Sequence, residues 1–232
     1  MNEDIRKMID KVKKINNDVD SDVSFVYNQH PELSYIGTPQ QYSAYLNTIF
    51  PDSKVRGVVY HGSDRSFDKF DKQYIGKNDA VSGYGFYFSH LIDSAKIFGK
   101  PIAALINLRN PSKKSLGYNE LIDKEKYNFL PLELKDEYKL IKNGKYAGYY
   151  EINTDLKTIP NESWDDFSLR LSKAAYDNAK KKYDGVYFGE RPEDIDDDRD
   201  IVVFEPEQIH ILGSKKDIEG FKDFVKNKLD FA

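Results

Sequence analysis

The chain has 232 residues, enough to bury a sizeable core in one large domain or one domain with an appended piece. Apolar residues make up 39%, charged residues 32%, and the formal net charge is -4, which excludes the overall basic footprint of a nucleic-acid-binding domain; 17 Tyr and 14 Phe argue against disorder. There is no cysteine, so disulfides, thiolate zinc sites and a cysteine nucleophile are excluded.

The N-terminal stretch MNEDIRKMIDKVKK is charged, with Ile5, Met8, Ile9, Val12 and Ile15 at helical spacing. It carries no apolar signal-peptide core, and no apolar run long enough for a membrane span follows. A cytoplasmic protein without membrane contact is expected. In IGTPQQYSAYLNTIF, Thr38 suits an N-cap, Pro39 the first helical position and Gln41 completes a capping box, so the spacing predicts a helix to about Ile49. Residues 1–54 are therefore expected to form an N-terminal helical subdomain, with residues 55–232 a second domain.

From Val55 the pattern changes. RGVVYHG predicts a strand, and GYGFYFS a second, its approach bent by Gly83 and Gly85. SAKIFG predicts a helix closed by Gly99 in a left-handed C-cap, and IAALINL a strand ended by Asn110-Pro111. Residues 112–160 are charged and Tyr-rich with weak periodicity, and read as an inserted loop-and-helix region with a hairpin signal at Asn143-Gly144. A long helix is predicted from Asn161 or Ser163 to about Lys182, with Trp164, Phe167, Leu171, Ala175 and Ala179 toward the core; Lys180-Lys181-Lys182 reads as its solvated end. YDGVYFG predicts a strand, RPEDIDDDRD an acidic loop, and IVVFEP a strand buried on both faces. Ser214 caps a final helix carrying Ile218, Phe221, Phe224, Val225 and Leu229. Short, non-alternating β and α elements indicate an α+β fold.

Three segments stand in order: Tyr60-His61-Gly62-Ser63; Gly85-Phe86-Tyr87-Phe88-Ser89 followed by Ser94-Ala95-Lys96-Ile97-Phe98; and Asp200-Ile201-Val202-Val203-Phe204-Glu205-Pro206-Glu207-Gln208-Ile209. Together they resemble the ADP-ribosyltransferase family, in the His-Tyr-Glu branch shared by diphtheria toxin and the poly(ADP-ribose) polymerases. The likeness is greatest to small bacterial and phage-encoded domains. It covers about residues 55–111 and 183–213. The resemblance implies a split β-sandwich of two small, mostly antiparallel sheets with NAD in a cleft. It also implies transfer of ADP-ribose from NAD to an acceptor. Each motif alone is weak; their order and spacing carry the signal.

The residues suit that chemistry. The nicotinamide ring is flat and cationic, so aromatic faces attract it, and Tyr87 and Phe98 are the candidate pair. Gly62, lacking a side chain, lets backbone N–H and C=O groups approach a carboxamide. By the resemblance, His61 holds the adenosine ribose hydroxyls and Ser63 assists. The family's glutamate corresponds to Asp200, one methylene shorter. A carboxylate there stabilises the oxocarbenium-like ribose and takes a proton from the acceptor. Glu205, Glu207, Asp197 and Asp198 stand nearby as alternative acids.

The resemblance implies NAD as substrate, no metal, a macromolecular acceptor (protein or nucleic acid), and a toxin or effector with an antitoxin partner; the short chain and the changed acid favour mono-transfer over polymer growth. Three other readings stay open: an NAD glycohydrolase, an inactive NAD-, nucleotide- or protein-binding module, and an RNA 2′-phosphotransferase-like relative. The last is weakened by Tyr87 where that family has a second histidine. His30, His90 and His210 have no metal-ligand spacing and read as structural or surface residues.

Overall fold

The computed structural model describes residues 22–76, 82–153, 162–189 and 201–229. The expected first helix and the acidic loop with Asp200 lie outside these residues. Among the described residues two compact units form, neither continuous in sequence: one from residues 22–69, 90–107 and 209–229, the other from 70–76, 82–89, 108–153, 162–189 and 201–208.

In the first unit, α1 (described over 22–29) and α2 (Pro39–Leu46) pack with α6 (Lys215–Leu229) around a sheet of β1 (Val59–Ser63), β3 (Lys100–Ile106) and β9 (Ile209–Ile211). The capping box is formed: the Thr38 side chain accepts from the Gln41 N–H at 3.2 Å and the Gln41 side chain accepts from the Thr38 N–H at 2.8 Å. α2 stops at Leu46, three residues before the expected end. The sheet is antiparallel, ordered β1-β3-β9, with His61 opposite Ile102 and Gly62 opposite Pro101. The buried core joins Val23, Val26 and Leu33 of the N-terminal segment to Val58, Tyr60, Leu212 and Phe221. One apolar face on each short helix thus requires the strands for its burial.

The buried carboxylate of Asp217 organises this core. It is wholly inaccessible, accepts from the Tyr42 hydroxyl and from the Gly213 N–H at 2.8 Å, and meets His210 Nε2 at 2.7 Å. His210 is therefore structural, as its sequence context suggested, and the burial of a charged group is offset by several hydrogen bonds.

The second unit contains two sheets. In the sheet β2-β8-β7, β8 (Ile201–Val203) lies between β2 (Phe86–Phe88) and β7 (Gly185–Val186), and all three β8 residues are buried, as the unbroken apolar run predicts. The other sheet, β4-β6-β5, is made by β4 (Leu121–Ile122), β5 (Tyr138–Leu140) and β6 (Tyr150–Ile152). β5 and β6 form the hairpin anticipated at Asn143-Gly144, with Gly144 at φ +89°. The rest of that sheet was not anticipated, because strands of two or three residues show no readable alternation.

Helix α5 (Trp164–Ala179), capped by Ser163, serves both sheets. Phe167, Leu171 and Ala175 cover Ile122, Tyr138 and Ile152, while Tyr176 and Ala179 cover Val186, Val202 and Phe204. Trp164, expected in the core, is instead 47% exposed and stands edge-on to Phe167 at 5.6 Å. It occupies the first turn of α5, where the helix has not yet reached the sheet. Among the described residues no helix is long and apolar enough to cross a membrane.

Candidate active site

β1 brings three of the sequence-predicted residues together at its C-terminal end. Tyr60 is buried on the α1 side, its ring edge-on to Phe25 at 5.5 Å and its hydroxyl donating to Asp22 at 2.6 Å. Side chains alternate along a strand, so His61 and Ser63 share the opposite face. His61 is half-buried and stands edge-on to Phe67 at 6.2 Å. The Ser63 hydroxyl oxygen accepts from the Arg65 N–H at 3.1 Å, closing the local turn that follows the strand.

Gly62 faces α3 (Ile92–Lys96). A Cβ there would lie 1.9 Å from the Ala95 carbonyl oxygen and 2.8 Å from Phe98 Cβ. The glycine therefore lets a helix end pack directly on the strand, and this packing sets Phe98 beside it. Phe98 itself is 53% exposed. Gly99 serves the same approach from the other side: a Cβ would stand 2.5 Å from the Ser63 carbonyl carbon. The expected left-handed C-cap is corrected here. The C-cap is Ile97 in right-handed helical geometry, and Gly99, two residues later, has φ +129°. The demand on Gly99 comes from contact with β1 rather than from ending the helix.

Tyr87 belongs to the second unit. It sits on β2 opposite Val202, half-buried. Its hydroxyl donates to the Gly83 carbonyl at 2.8 Å and accepts from the Ser82 N–H at 3.0 Å. The turn preceding β2 thus fixes the tip of the ring. Gly85 makes the sheet possible at that point, since a Cβ would lie 2.6 Å from the Val203 carbonyl. Asp200 lies outside the described residues; its neighbour Ile201 is paired with Phe88.

Glu205, considered from sequence as an alternative acid, is engaged. Its carboxylate accepts from Lys72 Nζ and the Tyr176 hydroxyl, and Lys72 also donates to Tyr176 at 3.1 Å. Burial raises the Glu205 carboxyl, but these two donors outweigh it and hold it below the ordinary glutamate value. Burial and the neighbouring carboxylate push the Tyr176 hydroxyl up to about 12. Tyr84 stands edge-on to Tyr176 at 5.2 Å. This triad joins residues more than a hundred positions apart and carries no sequence motif.

A family model described as ADP-ribosyltransferase in polyvalent proteins matches residues 56–221. No curated protein and no solved structure is similar at a significant level. The match spans all three sequence segments together with the small antiparallel sheets that carry them, and the chain belongs to this ADP-ribosyltransferase family and is an enzyme of that activity.

Proposed function

We propose that the enzyme takes NAD as its substrate and transfers single ADP-ribose groups to a macromolecular acceptor. The observation that carries this reading is the end of β1, where the half-buried His61 lies on one face and Gly62, on the other, is packed by the end of α3 that carries the exposed Phe98 ring. Among the described strands β1 lies at the edge of its sheet, the position from which strand backbone can meet a ligand amide. In this reading NAD occupies the cleft of a split β-sandwich. His61 holds the adenosine ribose hydroxyls with help from Ser63, and the Gly62 backbone binds the nicotinamide carboxamide. Tyr87 and Phe98 supply aromatic faces for the nicotinamide ring.

The bond from ribose C1′ to the nicotinamide nitrogen breaks, and its electron pair leaves with nicotinamide. The acceptor nucleophile bonds to C1′, and its proton passes to the carboxylate of Asp200, which also stabilises the oxocarbenium-like ribose. Glu205, the alternative acid, is already held by Lys72. The cytoplasmic location and the role as a phage or bacterial toxin or effector with an antitoxin partner belong to the same proposal.

The test is incubation of the full chain with NAD labelled in its adenine part, in a total lysate, with and without nuclease. The reading expects label on protein or nucleic acid, lost in Asp200→Ala and in Tyr87→Ala. Nicotinamide release without labelled macromolecule would replace the transferase reading with a glycohydrolase. Neither label nor release from a folded protein would overturn NAD as substrate.

A further inference from the structure

The β5–β6 hairpin has a surface that the catalytic reading does not use. Residues 138–150 read YKLIKNGKYAGYY, with Lys139, Lys142 and Lys145 and no carboxylate, in a chain whose net charge is -4. Lys142 and Lys145 are exposed, and neither is ion-paired among the described residues; Lys139 faces Glu151 at 3.7 Å. The hairpin also displays aromatic faces. Tyr146 and Tyr149 are 45% and 42% exposed, and their rings meet edge-on at 6.2 Å. Lys145 lies over the Tyr146 ring at 5.2 Å. At the base, Tyr150 stacks on Tyr127 at 3.7 Å and 9°, and Lys135 caps the stack at 5.1 Å from the Tyr127 ring. Gly144 and Gly148, both at φ +89°, have nothing within 4 Å of a Cβ, so the turn is open on the side they face.

Exposed tyrosines held at low conformational cost beside unneutralised lysines are the combination that binds a single nucleic-acid strand: phosphates meet ammonium groups and bases stack on rings. An acidic or purely apolar protein surface would use only half of these groups. We propose that the β5–β6 hairpin is a docking site for single-stranded nucleic acid. Binding here requires neither NAD nor catalysis, so its failure and that of the donor reading are distinguishable.

The experiment is fluorescence anisotropy of a fluorescein-labelled 20-nucleotide oligouridine with the full chain, without NAD, at 50 and 200 mM salt. Two phosphate contacts, from Lys142 and Lys145, predict an affinity falling about sevenfold over that range, from a single-strand slope of about 0.7 per contact. Lys142→Glu with Lys145→Glu is expected to weaken binding at least tenfold. Tyr146→Ala with Tyr149→Ala, which leaves the charges, is expected to weaken it at least fivefold, since stacking contributes about 1–3 kcal/mol per base. All four side chains are exposed, so circular dichroism is expected to be unchanged. No binding at 50 mM salt overturns the proposal, as does binding indifferent to both double variants. Loss with the lysine pair alone, together with equal displacement by heparin, would reduce the surface to a general polyanion patch and also overturn it.

Discussion

Alanine at position 62 is a small change with a calculable consequence. The added Cβ would stand 1.9 Å from the Ala95 carbonyl oxygen, where ordinary contact begins at 3.4 Å, so the end of α3 must retreat by about 1.5 Å. A backbone carbonyl cannot rotate aside as a side chain does. The retreat carries Phe98 with it and loosens Ala95, which is 4% exposed in the core. Overpacking of this kind costs roughly 1–3 kcal/mol. At about 2–4 °C per kcal/mol for a chain of this size, Gly62→Ala is expected to melt about 2–12 °C lower by circular dichroism. On the proposed role of Phe98 at the nicotinamide ring, displacing it by more than 1 Å is expected to cost on the order of 100-fold in turnover, read as nicotinamide release from NAD. Wild-type melting with wild-type turnover would refute the packing account. Wild-type melting with lost turnover would leave Gly62 a role in ligand approach alone.

Further predictions concern the polar groups at Asp217, Tyr42 and Glu205. Asp217→Ala strands the Tyr42 hydroxyl, the Gly213 N–H and His210, and is expected to cost about 3–5 kcal/mol in urea unfolding. Tyr42→Phe should cost about 1 kcal/mol in the wild type and close to nothing in the Asp217→Ala background; equal costs in both would show that the pair is not coupled. The Glu205 carboxyl is held below its ordinary value by Lys72 and Tyr176, so the folded state binds its proton less readily than the unfolded state. Its contribution is therefore present above the unfolded glutamate pKa and is lost as pH falls through the lower folded value. Glu205→Gln is expected to flatten the acid limb of the melting profile below the unfolded glutamate value.

Local chemistry made several elements readable. The Thr38-Pro39-Gln41 cap, the Ser163 and Ser214 caps, the buried run at Ile201–Val203 and the turn at Gly144 each follow from interactions within a few residues. The order of the three motif segments was legible for the same reason, since each carries its own strand signal. Trp164 was misread because helical spacing gives a face but not the point along the helix where a sheet begins to cover it. Gly99 was misread because a glycine that ends a helix and one that admits a neighbouring strand look alike in sequence.

By itself, the sequence determined the α+β class, the absence of cysteine chemistry, and the candidate residues His61, Gly62, Ser63, Tyr87, Phe98 and Asp200. Tertiary structure alone decided that α3 seats Phe98 against Gly62, that Ser82 and Gly83 hold the tip of Tyr87, that Glu205 is bound by Lys72, and that residues 112–153 build a sheet under α5. The physical reason is range. Caps, turns and alternation are set by neighbours in sequence, whereas the space at a missing Cβ and the partner of a buried carboxylate are set by whatever distant segment packs there.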